Sequence, residues 1–208
     1  GARKKHPGNY GTSFLKNNSY FSMKKFKIKN TKLKDAKIII RGNNQDKRGY
    51  LSRLFCFDEL SKLNKNNKLK QINLSYTSKK KTFRGFHYQL NPYSEVKYVT
   101  CLQGKIFDII IDLRKKSPTF LKAHCEILSE KDNKTLFVPK GFAHGFLSLV
   151  DNCKILYFHT ERYNSKFERG INLNDPLLKI NLPHPPSHIS KRDQNFEFLT
   201  NNFKGIKV

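Results

Sequence analysis

The stretch RGFHYQLNPYSEVKYV, residues 84–99, sets Arg84, His87 and Lys97 into what otherwise reads as strand, turn and strand. A core strand would carry aliphatic residues at such places. An arginine fork suits phosphate oxygens, a histidine takes up a proton near neutrality, and a lysine steadies negative charge. The three together suit a small anionic substrate, held in a barrel and deprotonated by the histidine. A strand histidine with nothing else around it is more often structural, so the elements that position it decide the matter.

Those elements read as short strands. From residue 38 onward the segments IIIRG, GYLSRLF, QINLSYTSK, TFRGFHYQL, VKYVTCL, KIFDIIIDLR, FLKAHCEIL, KTLFVPKG, HGFLSLV and KILYFHTERY follow one another. Gly, Pro, Asn or Asp punctuate most junctions, as in NNQDKR, LNPYSE, LQGK and SEKDNK. Strands at this density, with no βαβ alternation, predict an all-β sandwich or barrel. A short helix is expected to begin at residue 58 with Asp58 as its cap, and a second around residues 194–201. If each strand is regular, His87 shares a face with Gly85 and Gln89, and the missing Gly85 side chain leaves room beside the imidazole. By the same rule Lys97 sides with Val99 and Cys101, and Tyr157 with Ile155 and His159.

Composition bounds the rest. The 208 residues suit one domain with a sizeable core. Lys and Arg number 41 against 16 for Asp and Glu, a formal charge of +25. Such a balance suits polyanions, yet the cations are spread along the whole chain amid Asn and Ile, the pattern of a compositional bias. Cys56, Cys101, Cys125 and Cys153 lack finger-like spacing, which argues against zinc and for reduced cysteines in the cytoplasm. No apolar run reaches the ~18 residues of a membrane span. Residues 1–22 are polar and unpatterned, and Met23 is the sole methionine. They are expected to be a non-native or flexible extension before a single domain at 23–208.

Several segments carry a resemblance. DKRGYLSRLF, QINLSY, RGFHYQ, KYVTCLQGKIFDIIIDLRKKSPTF, VPKGFAHGFLSL, ILYFHTERYN, NDP and SKRD occur in order between residues 46 and 193. As a set they resemble the dTDP-4-dehydrorhamnose 3,5-epimerase family, nucleotide-sugar epimerases of the cupin superfamily. The resemblance implies an all-β cupin jelly-roll barrel (a double-stranded β-helix) with short flanking helices, working as a homodimer. It implies a nucleoside-diphosphate 4-keto-6-deoxy sugar as substrate, with no cofactor. Such a sugar is acidic at C3 and C5, because loss of either proton puts charge on O4. Inversion needs a base on one face, an acid on the other and a cation at the enolate oxygen.

By resemblance the base is His87 with Asp193 as its partner carboxylate, and the acid is Tyr157, protonated at neutrality with an ordinary pKa of about 10. Lys97 corresponds to the lysine that stabilises the enolate, and His144 to the second histidine of the family's site. Arg48, from a neighbouring subunit, with Gln71, Asn73, Arg84, Tyr163, Glu168 and Arg192, corresponds to the nucleotide contacts. P-x-G-x-x-H around His144 is half of a cupin metal motif. Gln89 stands where the other half needs a histidine, so no metal is expected. Arg53 stands where better-known members carry glutamate, which bears on the nucleotide more than on the epimerisation. A ketoisomerase of the same fold would share the histidine base. A non-enzymatic nucleic-acid binder would need aromatics exposed among its cations, whereas Phe107 and Phe146 sit at strand-periodic positions, so no specific nucleic-acid partner and no membrane partner are expected.

Overall fold

The computed structural model of the protein describes residues 26–65 and 68–208. The expected extension at residues 1–22 and the start at Met23 lie outside the described residues. The chain runs β1 (Lys27–Asn30), β2 (Lys37–Ile40), β3 (Asn43–Asp46), β4 (Gly49–Ser52), α1 (Phe57–Leu60) and β5 (Gln71–Thr77). Then come β6 (Thr82–Gln89), β7 (Lys97–Gln103), β8 (Lys105–Asp112), β9 (Ala123–Ser129), β10 (Lys134–Val138) and β11 (Phe142–Ser148). β12 (Cys153–His159), β13 (Glu168–Gly170), β14 (His188–Ile189) and α2 (Lys191–Gln194) complete it.

Two sheets face each other. One has the order β1-β2-β10-β7-β12-β5, the other β13-β6-β11-β8-β9, with β14 lying parallel to β6. Strands distant in sequence alternate as neighbours, β10 between β2 and β7 and β11 between β6 and β8, which is the crossover pattern of the expected jelly roll. Between the sheets, Val99, Leu136, Val138 and Ile155 from the first pack on Ile106, Ile110, Phe142 and Phe146 from the second.

β8 reads KIFDIIID without clean alternation because both its faces are buried. Ile106 and Ile110 point into the barrel, while Ile109 and Ile111 join Phe83, Phe86, Leu147, Leu178 and the partly buried Leu199 and Ile206 on the outside. The irregular C-terminal segment is therefore the cover of the second sheet. The outer face of the first sheet is covered by α1 and the residues around it, where Leu60 packs with Ile39, Tyr98, Phe137 and Phe158.

Both expected helices differ from their sequence readings. α1 is a single turn starting at Phe57, with Cys56 at the cap and no side-chain cap bond, so Asp58 lies inside the first turn. Leu60 anchors that turn in the core, and the Lys- and Asn-rich text beyond it offers little more to bury. α2 precedes the expected 194–201: Ser190 caps it by accepting from Asp193 N–H. Beyond it the backbone is taken up by tertiary partners. Asn172 Nδ2 donates to the carbonyls of Gln194 and Phe196, and Leu199 N–H donates to Asp175. The cluster NNQDKR is likewise mostly strand, β3 pairing with β4 around a turn at Lys47 and Arg48. No helix among the described residues is long and apolar enough to cross a membrane.

Candidate active site

A cavity of about 1110 Å³ opens among β5, β6, β7, β11, β12 and α2. His87, Tyr157, Asp193 and Lys97 all line it, as do Gln71, Asn73, Arg84, His144, Tyr163, Glu168 and Arg192. Arg48 does not. It sits at the tip of the β3–β4 hairpin, 89 % exposed and paired with Asp46.

β6 is not regular, which corrects the parity reading. His87 faces His144 on β11 while Arg84 faces Phe146, so β6 uses three residues where β11 uses two. The bulge lets Arg84 and His87, which an ideal strand would send to opposite faces, both reach the cavity. Gly85 leaves room for the neighbouring strand rather than for the imidazole. A Cβ on it would lie 2.6 Å from the Gly145 Cα, and its φ of +138° disfavours any other residue.

Asp193 grips this bulge with both oxygens. Oδ1 lies 2.9 Å from His87 Nε2, and Oδ2 accepts the Gly85 N–H at 3.0 Å. Burial opposes its charge, but the bonds from His87 and Gly85 and the nearby Arg192 more than offset that and hold the carboxyl below the usual range. We assign the Nε2 proton to the bond with this carboxylate, leaving Nδ1 as the ring nitrogen able to accept a proton. Arg192 Nη2 lies 3.0 Å from the same Nε2, and its fork also reaches Asp193 and Glu168.

Across the cavity Tyr157 rises from β12 with its hydroxyl 3.5 Å from Ser75 Oγ. Burial pushes the phenol well above its ordinary pKa, so it stays protonated. Lys97 Nζ is 3.4 Å from Glu95 Oε1. Arg84 is fixed by Thr77 Oγ1 and the Tyr76 carbonyl. Gln71 accepts the Tyr163 N–H, and the Tyr163 hydroxyl donates to Glu168.

Asp108 and Glu95 were not singled out from the sequence, and His159 was placed beside Tyr157 by strand parity but given no role. His144 Nε2 bonds Asp108 Oδ1 at 2.7 Å, and burial raises the Asp108 carboxyl although His144 opposes the shift. The signal was there: a carboxylate in the middle of β8, flanked by the inward-facing Ile106 and Ile110. His159 lines the cavity on the same face as Tyr157, as strand parity implies, and pairs with Glu95. Glu95 itself sits in a loop, where no pattern marks it.

Gln89 is engaged by the loops around it: its Nε2 donates to the carbonyls of Tyr93 and Arg162, and its Oε1 accepts Asn164 N–H. Among the described residues no group of three His, Cys, Asp or Glu converges as metal ligands would. Arg53 is committed to a salt bridge with Glu59, away from the cavity.

The sequence pattern described as dTDP-4-dehydrorhamnose 3,5-epimerase matches residues 30–201. The chain belongs to the dTDP-4-dehydrorhamnose 3,5-epimerase family. It is 39 % identical to the epimerase of Mycobacterium tuberculosis over 55 % of its length, a stretch spanning 56 % of that relative. A solved epimerase from Bacillus anthracis with TDP and PPi bound is 36 % identical and covers 84 % of this chain and 99 % of its own, with a TM-score of 0.80. A Legionella pneumophila epimerase in complex with dTDP-4-keto-L-rhamnose is 31 % identical, covering 88 % and 98 %, with a TM-score of 0.81. Membership of this family makes the chain an isomerase with the cupin fold.

Proposed function

We propose that the protein inverts C3 and C5 of a nucleoside-diphosphate 4-keto-6-deoxy sugar, converting dTDP-4-dehydro-6-deoxyglucose to dTDP-4-dehydrorhamnose. The observation that carries this is the convergence of the His87–Asp193 pair, Lys97 and the protonated Tyr157 on one cavity. The Bacillus and Legionella relatives, with TDP and a dTDP-keto sugar bound, support the nucleotide and the sugar class.

His87 removes the proton at C3 or C5 through Nδ1, and the electron pair moves onto O4 as an enolate. Asp193 stabilises the imidazolium that forms, and its bond to Nε2 holds the ring's tautomer. The Lys97 ammonium stabilises the enolate oxygen. Tyr157 then delivers a proton to the other face of the carbon, which completes inversion. Arg84 and Arg192 hold the diphosphate, and Gln71, Asn73, Tyr163 and Glu168 border the nucleotide. His144, braced by Asp108, hydrogen-bonds the sugar. The product feeds deoxysugar synthesis for surface polysaccharide, in a cytoplasm that keeps the four cysteines free.

Arg48 completes the site from a second subunit of a homodimer. Two features support this: Arg48 is exposed on a hairpin and does not line its own cavity, and the edge strand β5 exposes the row Ile72, Leu74 and Tyr76. The test of the reading is deuterium incorporation at C3 and C5 of the keto sugar in heavy water.

A further inference from the structure

Glu95, in the loop ahead of β7, holds two residues of the site at once. Its Oε1 lies 3.4 Å from Lys97 Nζ and its Oε2 2.8 Å from His159 Nδ1. Its side chain is only 8 % exposed. Burial works against its charge, but Lys97 first and His159 next more than offset this and hold the carboxyl below the usual range. His159 in turn lies against Tyr157, ring centroids 5.9 Å apart and planes 26° from parallel. Its Nε2 is 3.5 Å from Asn73 Nδ2.

A lysine is a point charge on a four-carbon stem, and its effect on a developing oxyanion depends on where the ammonium sits. Left alone, the stem would follow its own rotamer preferences and the ammonium would seek water. Among the described residues Glu95 is the one carboxylate within ion-pair distance of Lys97. Asp108, which also acts on this region from β8, is already bonded to His144.

We infer that Glu95 is a positioning residue, which fixes the Lys97 ammonium at the enolate oxygen and, through the His159 ring, sets the orientation of Tyr157. The inference rests on the epimerase reading for the role of Lys97, and on geometry for the link. It makes Glu95, Lys97 and Tyr157 one mechanical unit, joining the cation that receives the charge to the acid that returns the proton.

The test is a double-mutant cycle on solvent deuterium exchange into the keto sugar, using wild type, Glu95→Gln, Lys97→Met and the double variant. Glu95→Gln is expected to lower kcat by about tenfold or more while KM moves less than about threefold. Added to Lys97→Met, the same change is expected to cost at most about half the factor it costs in wild type, because the ammonium is gone and only the path through His159 to Tyr157 remains. Equal losses in both backgrounds, or a wild-type kcat in Glu95→Gln, would overturn the inference. If Glu95→Gln does not fold, the double variant, which removes both charges together, is compared with Lys97→Met alone against half of the loss of about tenfold expected in wild type. A wild type that catalyses no exchange defeats the epimerase reading instead. The link is then read from the His159 ring ¹⁵N shifts, which must change in Glu95→Gln; unchanged shifts would break it.

Discussion

Asp193 reaches His87 from 106 residues further along the chain, closing a 2.9 Å bond between helix α2 and the bulge of β6. The other carboxylate oxygen holds the Gly85 N–H, so the imidazole and the irregular backbone that aims it are fixed by one group. In the proposed mechanism the geometry of proton abstraction thus depends on the bulge as much as on the imidazole.

Gly85 is where that dependence is most exposed. Any side chain there meets the Gly145 backbone at 2.6 Å in a conformation of positive φ. Gly85→Ala is expected to destabilise the fold by about 1–3 kcal/mol, the usual range for a forced backbone conformation. Urea unfolding measures it, and a change under about 0.5 kcal/mol, within the range of a neutral surface substitution, would contradict the assignment.

Tyr157→Phe removes the proposed acid but leaves the proposed base. Deprotonation, seen as exchange of the C3 and C5 protons, is expected to fall less than net inversion, because His87 can return the proton to the face it came from. Net inversion is expected to fall by about 10²–10⁴-fold, the range for a positioned acid. Parallel NMR assays of exchange and product separate the two. Equal losses would make Tyr157 a positioning group.

Asp112, at the end of β8, accepts from Ser117 and Thr119 hydroxyls at 2.6 Å each and from the Arg114 fork at 2.9 Å. Burial opposes its charge, but these bonds win and hold the carboxyl below the usual range. A depressed carboxyl stabilises the fold above its unfolded pKa of about 3.9, and the contribution is lost as pH falls through the lower folded value. Asp112→Asn is expected to flatten the acid limb of stability below about pH 4 and to cost about 1–3 kcal/mol at neutrality, since Arg114 keeps its ion pair with Asp35. An unchanged acid limb in thermal melts across pH would contradict this.

The proposed homodimer has its own check. Sedimentation is expected to give twice the chain mass, and Leu74→Ser with Ile72→Ser, which makes the β5 row polar, is expected to shift it toward monomer. Arg48→Ala is expected to raise KM with dimerisation intact. A monomeric wild type with full activity would remove Arg48 from the site.

Much of the barrel was legible because antiparallel strands alternate and their turns carry Gly, Pro, Asn and Asp. β8 was legible as strand but not as doubly buried, since nothing in KIFDIIID says that residues after 171 will cover it. His87 stood out through its motif, whereas the bulge that brings Arg84 beside it comes from an uneven register with β11. The SPTF segment helped to mark the family, yet its serine and threonine serve the Asp112 turn rather than the cavity. Glu95 escaped, and His159 was legible only as a neighbour of Tyr157, because the two meet only once β7 and β12 are paired.

The measurement that bears most directly on the account is proton NMR in heavy water with dTDP-4-keto-6-deoxyglucose, comparing wild type with His87→Ala. Deuterium is expected at C3 and C5 with wild type, and a rate lower by about 10²–10⁴-fold in the variant. Exchange at the wild-type rate in folded His87→Ala would take His87 out of the base role and contradict the mechanism.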